Sequence, residues 1–127
     1  MYKYFNNNPI NNQVTGDCVI RALSVLLNQS WDKTYTDLAL LGYSKGLMPS
    51  SNAVHMAYLE QYGFRMYALP SHCYDKCITV KEFSETHPTG RYLLATGDHV
   101  VALVDGDYYD SFDSSNEYVN YYFKEGV

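Results

Sequence analysis

The sequence predicts an α+β domain, because helical patterns fill the first half of the chain and short β-type runs fill the last third. Apolar residues follow helical spacing between positions 17 and 62. From position 91 onward the runs are short and rich in valine, leucine and tyrosine, and Asp105-Gly106 between two of them is a strong hairpin signal. We therefore expect one domain, 1–127, with N-terminal helices and a buried central helix packed on a C-terminal antiparallel sheet.

The helix that follows Asp17 is expected to be the central, most deeply buried one. Its apolar residues leave little of the surface polar: Val19, Ile20, Ala22, Leu23, Val25, Leu26 and Leu27. Thr15 and Asp17 are both candidates for its N-cap, since short polar side chains accept hydrogen bonds from the first free N–H groups.

The other elements are predicted from turn residues, caps and periodicity. The first sixteen residues favour an extended arm with a short strand at 2–5. Thr79 and Glu82 form a capping box that starts a short helix ending before Pro88. The predicted order elsewhere is helix 31–43, helix 53–62, strand 64–69 and strands 91–96, 99–104, 107–112 and 116–124.

Composition argues against several classes of partner. The formal net charge is -5, and the nine Lys and Arg residues are scattered, so no nucleic-acid partner is expected. No apolar run approaches the roughly 18 residues of a membrane span, and the start lacks the apolar stretch of a signal peptide. Three cysteines do not suggest a disulfide framework. We therefore expect a cytoplasmic protein with reduced thiols and no membrane partner; the sequence does not indicate an oligomeric state.

The segment 72–77 carries metal-ligating residue types but does not predict a metal site. It offers one histidine, two cysteines and one aspartate within six positions. Structural zinc usually takes four ligands arranged as two separated pairs, and the sequence has no second pair. We expect neither a metal nor any other cofactor.

Cys18 is the candidate nucleophile of the chain. It stands at the predicted first turn of the central helix, where backbone N–H groups and the helix dipole favour a thiolate. A thiolate mechanism also needs a base held in a fixed position. Among the four histidines, His99 alone begins an apolar strand and so lies at the rim of the predicted core.

The hairpin that follows His99 supplies two candidates to orient the imidazole. If the loop is only Asp105-Gly106, position 112 faces His99 and Asp110 lies diagonally on the same face. If the loop is one residue longer, Asp113 faces His99 instead. The Cys18 N–H and the side-chain amide of Gln13 are candidates for binding a developing oxyanion.

These residues resemble the site of the papain-like cysteine peptidase superfamily, particularly its small bacterial and phage members near the bacteriocin-leader peptidases. Gln13, Cys18, His99 and Asp110 match that pattern in order. The stretch YYDSF is similar to the Asn-Ser-Trp segment of the larger enzymes, with Phe112 in the place of the shielding aromatic residue. GDCVIRAL is also similar to the Asp-Gly-x-Cys-x-x-Arg motif of ovarian-tumour-type deubiquitinases.

The resemblance implies a thiol hydrolase that acts on a peptide or protein substrate. Cys18, His99 and Asp110 would form its catalytic triad, and Gln13 would assist at the oxyanion. Two alternatives stay open at this point. The same triad can carry out acyl transfer or deamidation, and a papain-like fold can also serve as a non-catalytic binding or host-interaction protein.

Overall fold

The computed structural model describes residues 1–11, 16–69 and 77–126. Over these residues the chain forms four helices and six strands, which confirms the α+β class. The helices are α1 (Cys18–Leu26), α2 (Trp31–Lys45), α3 (Asn52–Gln61) and α4 (Val80–Thr86). The strands are β1 (Tyr2–Tyr4), β2 (Phe64–Ala68), β3 (Arg91–Ala95), β4 (Val100–Val104), β5 (Asp107–Asp110) and β6 (Tyr121–Glu125).

The strands form one sheet in the order β1-β5-β4-β3-β6-β2. The expectation of a C-terminal antiparallel sheet holds for the centre of the sheet and is wrong at its two edges. Strands β1 and β2 come from earlier in the chain, and β1 pairs with β5 in parallel. The remaining strand pairs are antiparallel, so the central β5-β4-β3-β6 part of the sheet has the predicted direction.

Helix α1 is the central buried helix, as predicted. Leu23 and Leu26 have no exposed surface, and the helix packs against β4 on one side and α2 on another. Its apolar residues form one cluster with Leu93 and Ala102 of the sheet. Burying a leucine side chain contributes about 1.5–3 kcal/mol relative to leaving it in water, so this cluster fixes α1 on the sheet.

A two-residue turn connects β4 to β5 and fixes their register. Asp105 and Gly106 have φ values of 49° and 84°, the pair of positive angles that this hairpin turn requires. Val104 therefore pairs with Asp107, and Ala102 with Tyr109. Continued along the two chains, this register sets position 112 opposite position 99.

Strand β1 covers the outer edge of β5 at the point where β5 ends. Tyr4 pairs with Asp110, and the Phe5 N–H donates to the Asp110 carbonyl oxygen at 2.8 Å. The Tyr2 hydroxyl donates to the same oxygen at 3.3 Å. The carbonyl oxygen of Asp110 thus accepts two hydrogen bonds from the β1 segment, which hold the end of β5 from its outer side.

The predicted last strand, 116–124, is displaced toward the C-terminus. Residues 117–119 pair with the segment around the start of α4 instead of the centre of the sheet: the Val80 N–H donates to the Glu117 carbonyl oxygen, and the Val119 N–H donates to that of Ile78. The ladder with β3 begins only at Tyr121. A tyrosine-rich run does not reveal which neighbour it will pair with.

The expectations about a membrane span, reduced thiols and a metal site have separate outcomes. No helix in the described part of the chain is long and apolar enough to cross a membrane; the cytoplasmic location itself stays a prediction. The expectation of reduced thiols is wrong for Cys77, which is disulfide-bonded. Most of the segment 72–77 lies outside the described residues, and the described residues contain no cluster of metal-ligating side chains.

Candidate active site

Cys18 is the first residue of α1, and its thiol is half-buried. The first N–H groups of a helix have no partner within the helix, so the thiol lies among free donors at the positive end of the dipole. Asp17 occupies the N-cap position, but its side chain does not cap the helix. Thr15, the other cap candidate, lies outside the described residues.

His99 lies directly before β4 and faces the start of α1. Its Nε2 lies 2.6 Å from Oδ2 of Asp110, and its side chain is hydrogen-bonded to Cys18. Because Nε2 faces the carboxylate, Nδ1 is the nitrogen left to face the thiol. The structure thus brings Cys18, His99 and Asp110, which are distant in sequence, into one hydrogen-bonded chain.

Asp110 is the carboxylate that the two-residue turn selects. It ends β5, is 1% exposed, and lies diagonally across the hairpin from His99. Its Oδ1 accepts a hydrogen bond from the Ser111 N–H at 2.8 Å. Asp113, the alternative, is exposed and accepts from the Ser115 N–H at 3.0 Å. The longer-loop register is therefore wrong.

The environment favours the thiolate form of Cys18. Burial raises the pKa of the Cys18 thiol, since a buried anion loses hydration. The hydrogen bonds from His99 and the Val100 N–H, together with the positive charges of His99 and Arg21, outweigh burial. The pKa of Cys18 is consequently lowered from its ordinary 9.0.

The same contacts favour the charged form of His99. Burial lowers the pKa of the imidazole, but the hydrogen bonds to Asp110 and Cys18 and the charges of those two groups raise it to about 10. A lowered cysteine pKa and a raised histidine pKa together define a thiolate–imidazolium pair. This pair is the reactive form of a cysteine nucleophile.

Phe112 covers the outer face of the His99 ring. The two ring centroids are 4.8 Å apart at an angle of 37°, and Phe112 is 42% exposed. An aromatic side chain in this position keeps water away from the imidazole, which strengthens its interactions with both partners. The residue occupies the position that the sequence resemblance assigned to a shielding aromatic ring.

The replacement Phe112→Ala is expected to weaken the ion pair without unfolding the chain. Water gains access to His99, so the alkylation rate of Cys18 at about pH 6 should fall roughly fivefold, in line with the 0.5–1.5 kcal/mol of an aromatic pair. Tyr118→Ala, which removes another exposed aromatic ring, is the matched control. An unchanged rate in Phe112→Ala would show that the ring does not shield the imidazole.

A cavity of about 310 Å³ opens beside the thiol. Its lining residues come from the start of α1, the start of α3 and the end of the sheet, and include Cys18, Ser50, Asn52, Asp98, His99 and Tyr121. A second cavity, of about 410 Å³, adjoins it at Gly16 and Ser50 and is lined by apolar side chains that include Ile20 and Trp31. The thiol therefore lies in a cleft with space on both sides of Gly16.

A buried arginine, which the sequence did not mark as a site residue, lies beside the three predicted residues. Arg21 is 5% exposed and contacts two carboxylates, those of Asp17 and Asp110. Asp17 in turn accepts a hydrogen bond from the Trp31 indole N–H at 2.9 Å. The sequence did indicate the contact with Asp17. A single cation within an apolar helix requires a buried partner, and Asp17 lies four residues before Arg21.

The remaining candidates for the site are Gln13, the fourth predicted residue, and the histidines that were not chosen as the base. Gln13 lies outside the described residues, so its part in the site stays a prediction. His55 lies in the core, where burial lowers its pKa and its ring packs edge-on against Phe123. His87 stacks on Phe83 beside α4. Of the three described histidines, His99 is the one hydrogen-bonded to the Cys18 thiol.

Comparisons with known proteins give this chain no relative. It matches no protein-family model, no curated protein and no solved structure. The geometry of the site is that of a cleft in which a thiol, an imidazole and a buried carboxylate are hydrogen-bonded one to the next.

Proposed function

We propose that this chain is a papain-like thiol hydrolase that cleaves a peptide or isopeptide bond. The observation that supports the proposal most strongly is the hydrogen-bonded chain from Cys18 through His99 to Asp110, opening into a cleft at a helix start. Nucleophilic acyl transfer needs this order of groups: a nucleophile, a base beside it, and an acid that orients the base.

In the first step, the Cys18 sulfur attacks the carbonyl carbon of the scissile bond. The oxygen becomes an oxyanion, which the free N–H groups at the start of α1 stabilise. The His99 imidazolium then gives its proton to the departing nitrogen, the C–N bond breaks, and an amine leaves. The product on the protein is a thioester at Cys18, and His99 is left neutral.

In the second step, His99 takes a proton from water, and the resulting hydroxide oxygen attacks the thioester carbon. The C–S bond breaks, the carboxylic acid is released, and the thiolate–imidazolium pair returns. Asp110 keeps the imidazole oriented throughout and does not change its own protonation. No cofactor takes part in these steps.

The substrate is proposed to be a peptide or protein that crosses the cleft at Gly16. The leaving amine lies toward His99, because that residue donates its proton. The acyl part then extends across Gly16 toward the second cavity, which offers apolar lining. If an amine attacks the thioester carbon in place of water, the C–S bond breaks and a new amide forms, so product analysis must separate hydrolysis from acyl transfer.

Iodoacetamide alkylation of the intact, unreduced chain tests the proposal. At about pH 6 an ordinary thiol is protonated and reacts slowly with iodoacetamide, whereas a thiolate reacts much faster. We expect Cys18 to be alkylated at least about tenfold faster than free cysteine under these conditions, and His99→Ala to lose this advantage. Peptide mapping by mass spectrometry identifies the labelled residue. A Cys18 no more reactive than free cysteine would favour a non-catalytic binding protein.

A further inference from the structure

Arg21 joins the two structural halves of the proposed site. Its Nη2 lies 3.4 Å from Oδ1 of Asp110, which belongs to the sheet, and its Nη1 lies 2.5 Å from Oδ1 of Asp17, which precedes the thiol on the helix. All three side chains are less than 9% exposed. The guanidinium is therefore a buried cation between two buried carboxylates.

The helix geometry explains why one side chain can reach both partners. Arg21 lies four residues after Asp17 and three after Cys18, so its side chain is a neighbour of both at the start of α1. A guanidinium has donors on two separate nitrogens in a rigid plane, so it can bind one carboxylate with each. Trp31 of α2 fixes the other oxygen of Asp17 and so prevents that carboxylate from turning away.

The contacts of Asp110 divide its two oxygens between different tasks. Oδ2 faces His99, while Oδ1 accepts from Ser111 and faces Arg21. A carboxylate held in this way cannot rotate to exchange its oxygens without losing a buried contact. The guanidinium and the Ser111 N–H therefore act together to keep Oδ1 away from the imidazole, so that Oδ2 faces it.

We propose that Arg21 is a positioning residue of the active site, which fixes the thiol of Cys18 against the imidazole of His99 by tying Asp17 to Asp110. The inference rests on the proposed function and adds a residue that acts on both members of the ion pair at once. Arg21 does not touch the substrate; it acts through the two carboxylates. This role also explains why Asp17 directly precedes Cys18: the Asp17 side chain binds Arg21 and does not cap the helix.

The substitution Arg21→Lys separates charge from geometry. Lysine keeps one positive charge, but a single ammonium group cannot bind two carboxylates with the same planar fork. We expect a folded protein by circular dichroism in which alkylation of Cys18 at about pH 6 is roughly tenfold slower, a loss typical of a misplaced catalytic contact. The His99 ring protons, followed by NMR, should titrate at lower pH than in the unaltered chain. Arg65→Lys, at an exposed position of β2, is the matched control.

A second variant keeps the test decisive if Arg21→Lys does not fold. The double replacement Arg21→Met with Asp17→Asn removes one cation and one anion together, so the buried charge stays balanced. It should fold and show the same slower alkylation and lower His99 titration. A folded Arg21→Lys or double variant with an unchanged His99 titration would overturn the proposal. His99 titration does not depend on turnover, so this result is separate from failure of the hydrolase proposal, which would show as no Cys18-dependent product in the unaltered chain.

Discussion

Replacement of Cys18 by alanine is expected to abolish product formation from a peptide library, with a loss of at least about a thousandfold. No other group in the proposed mechanism can form the thioester. The side chain is small and lies at the edge of the cleft, so the variant should keep its fold, which circular dichroism can check. The measurement is mass spectrometry of library peptides incubated with each variant.

His99→Ala is expected to cause a loss of similar size in the same assay, because the thiol loses its base and its charged partner. His87→Ala provides the matched control, since that imidazole stacks on Phe83 away from the thiol. Cleavage that persists in Cys18→Ala would contradict the proposed nucleophile, and equal loss in the two histidine variants would indicate unfolding instead of chemistry.

The second large effect is expected from Asp110→Asn. The amide keeps the shape of the carboxylate but removes its charge, so the pKa of His99 should fall from about 10 toward 6.5. Because the ion pair is then less populated, alkylation at about pH 6 and library cleavage should fall by roughly a hundredfold or more. Asp113→Asn, three residues further along and exposed, should change neither. An effect of Asp113→Asn equal to that of Asp110→Asn would contradict the observed register.

The raised pKa of His99 also predicts how stability depends on pH. The folded state binds the imidazole proton more tightly than the unfolded state, so this contribution is fully present below the ordinary pKa of 6.5. It decreases as the pH rises above that value and is lost as the pH passes through about 10. Chemical denaturation at several pH values should show this decrease in the unaltered chain and a smaller one in Asp110→Asn.

The sequence predicted the parts of the site that depend on local rules. Asp105-Gly106 favours a two-residue turn, and that turn places Asp110 diagonally from His99 by simple counting. Apolar periodicity likewise placed Cys18 at the start of a buried helix. In each case a short-range preference of the backbone determined the outcome, so no knowledge of distant contacts was needed.

The parts that were missed depend on contacts between distant segments. The short strand at 2–5 was predicted, but its place in the sheet was not, because its parallel partner β5 is separated from it by about a hundred residues of chain. The contact between Arg21 and Asp110 could not be predicted without knowing that the sheet brings Asp110 beside α1. Composition also misled at Cys77, because a small, odd number of cysteines does not exclude a single disulfide.

The short strand β1 has a consequence for how this protein would lose activity. Its three residues close the sheet edge at which the orienting acid lies, and short edge segments open before the rest of a domain does. Mild heating or a low denaturant concentration should therefore expose the Asp110 carboxylate to water. The reactivity of the Cys18 thiol should then be lost while the core of helices and sheet stays folded. Loss of activity would precede global unfolding, and cooling would restore the activity.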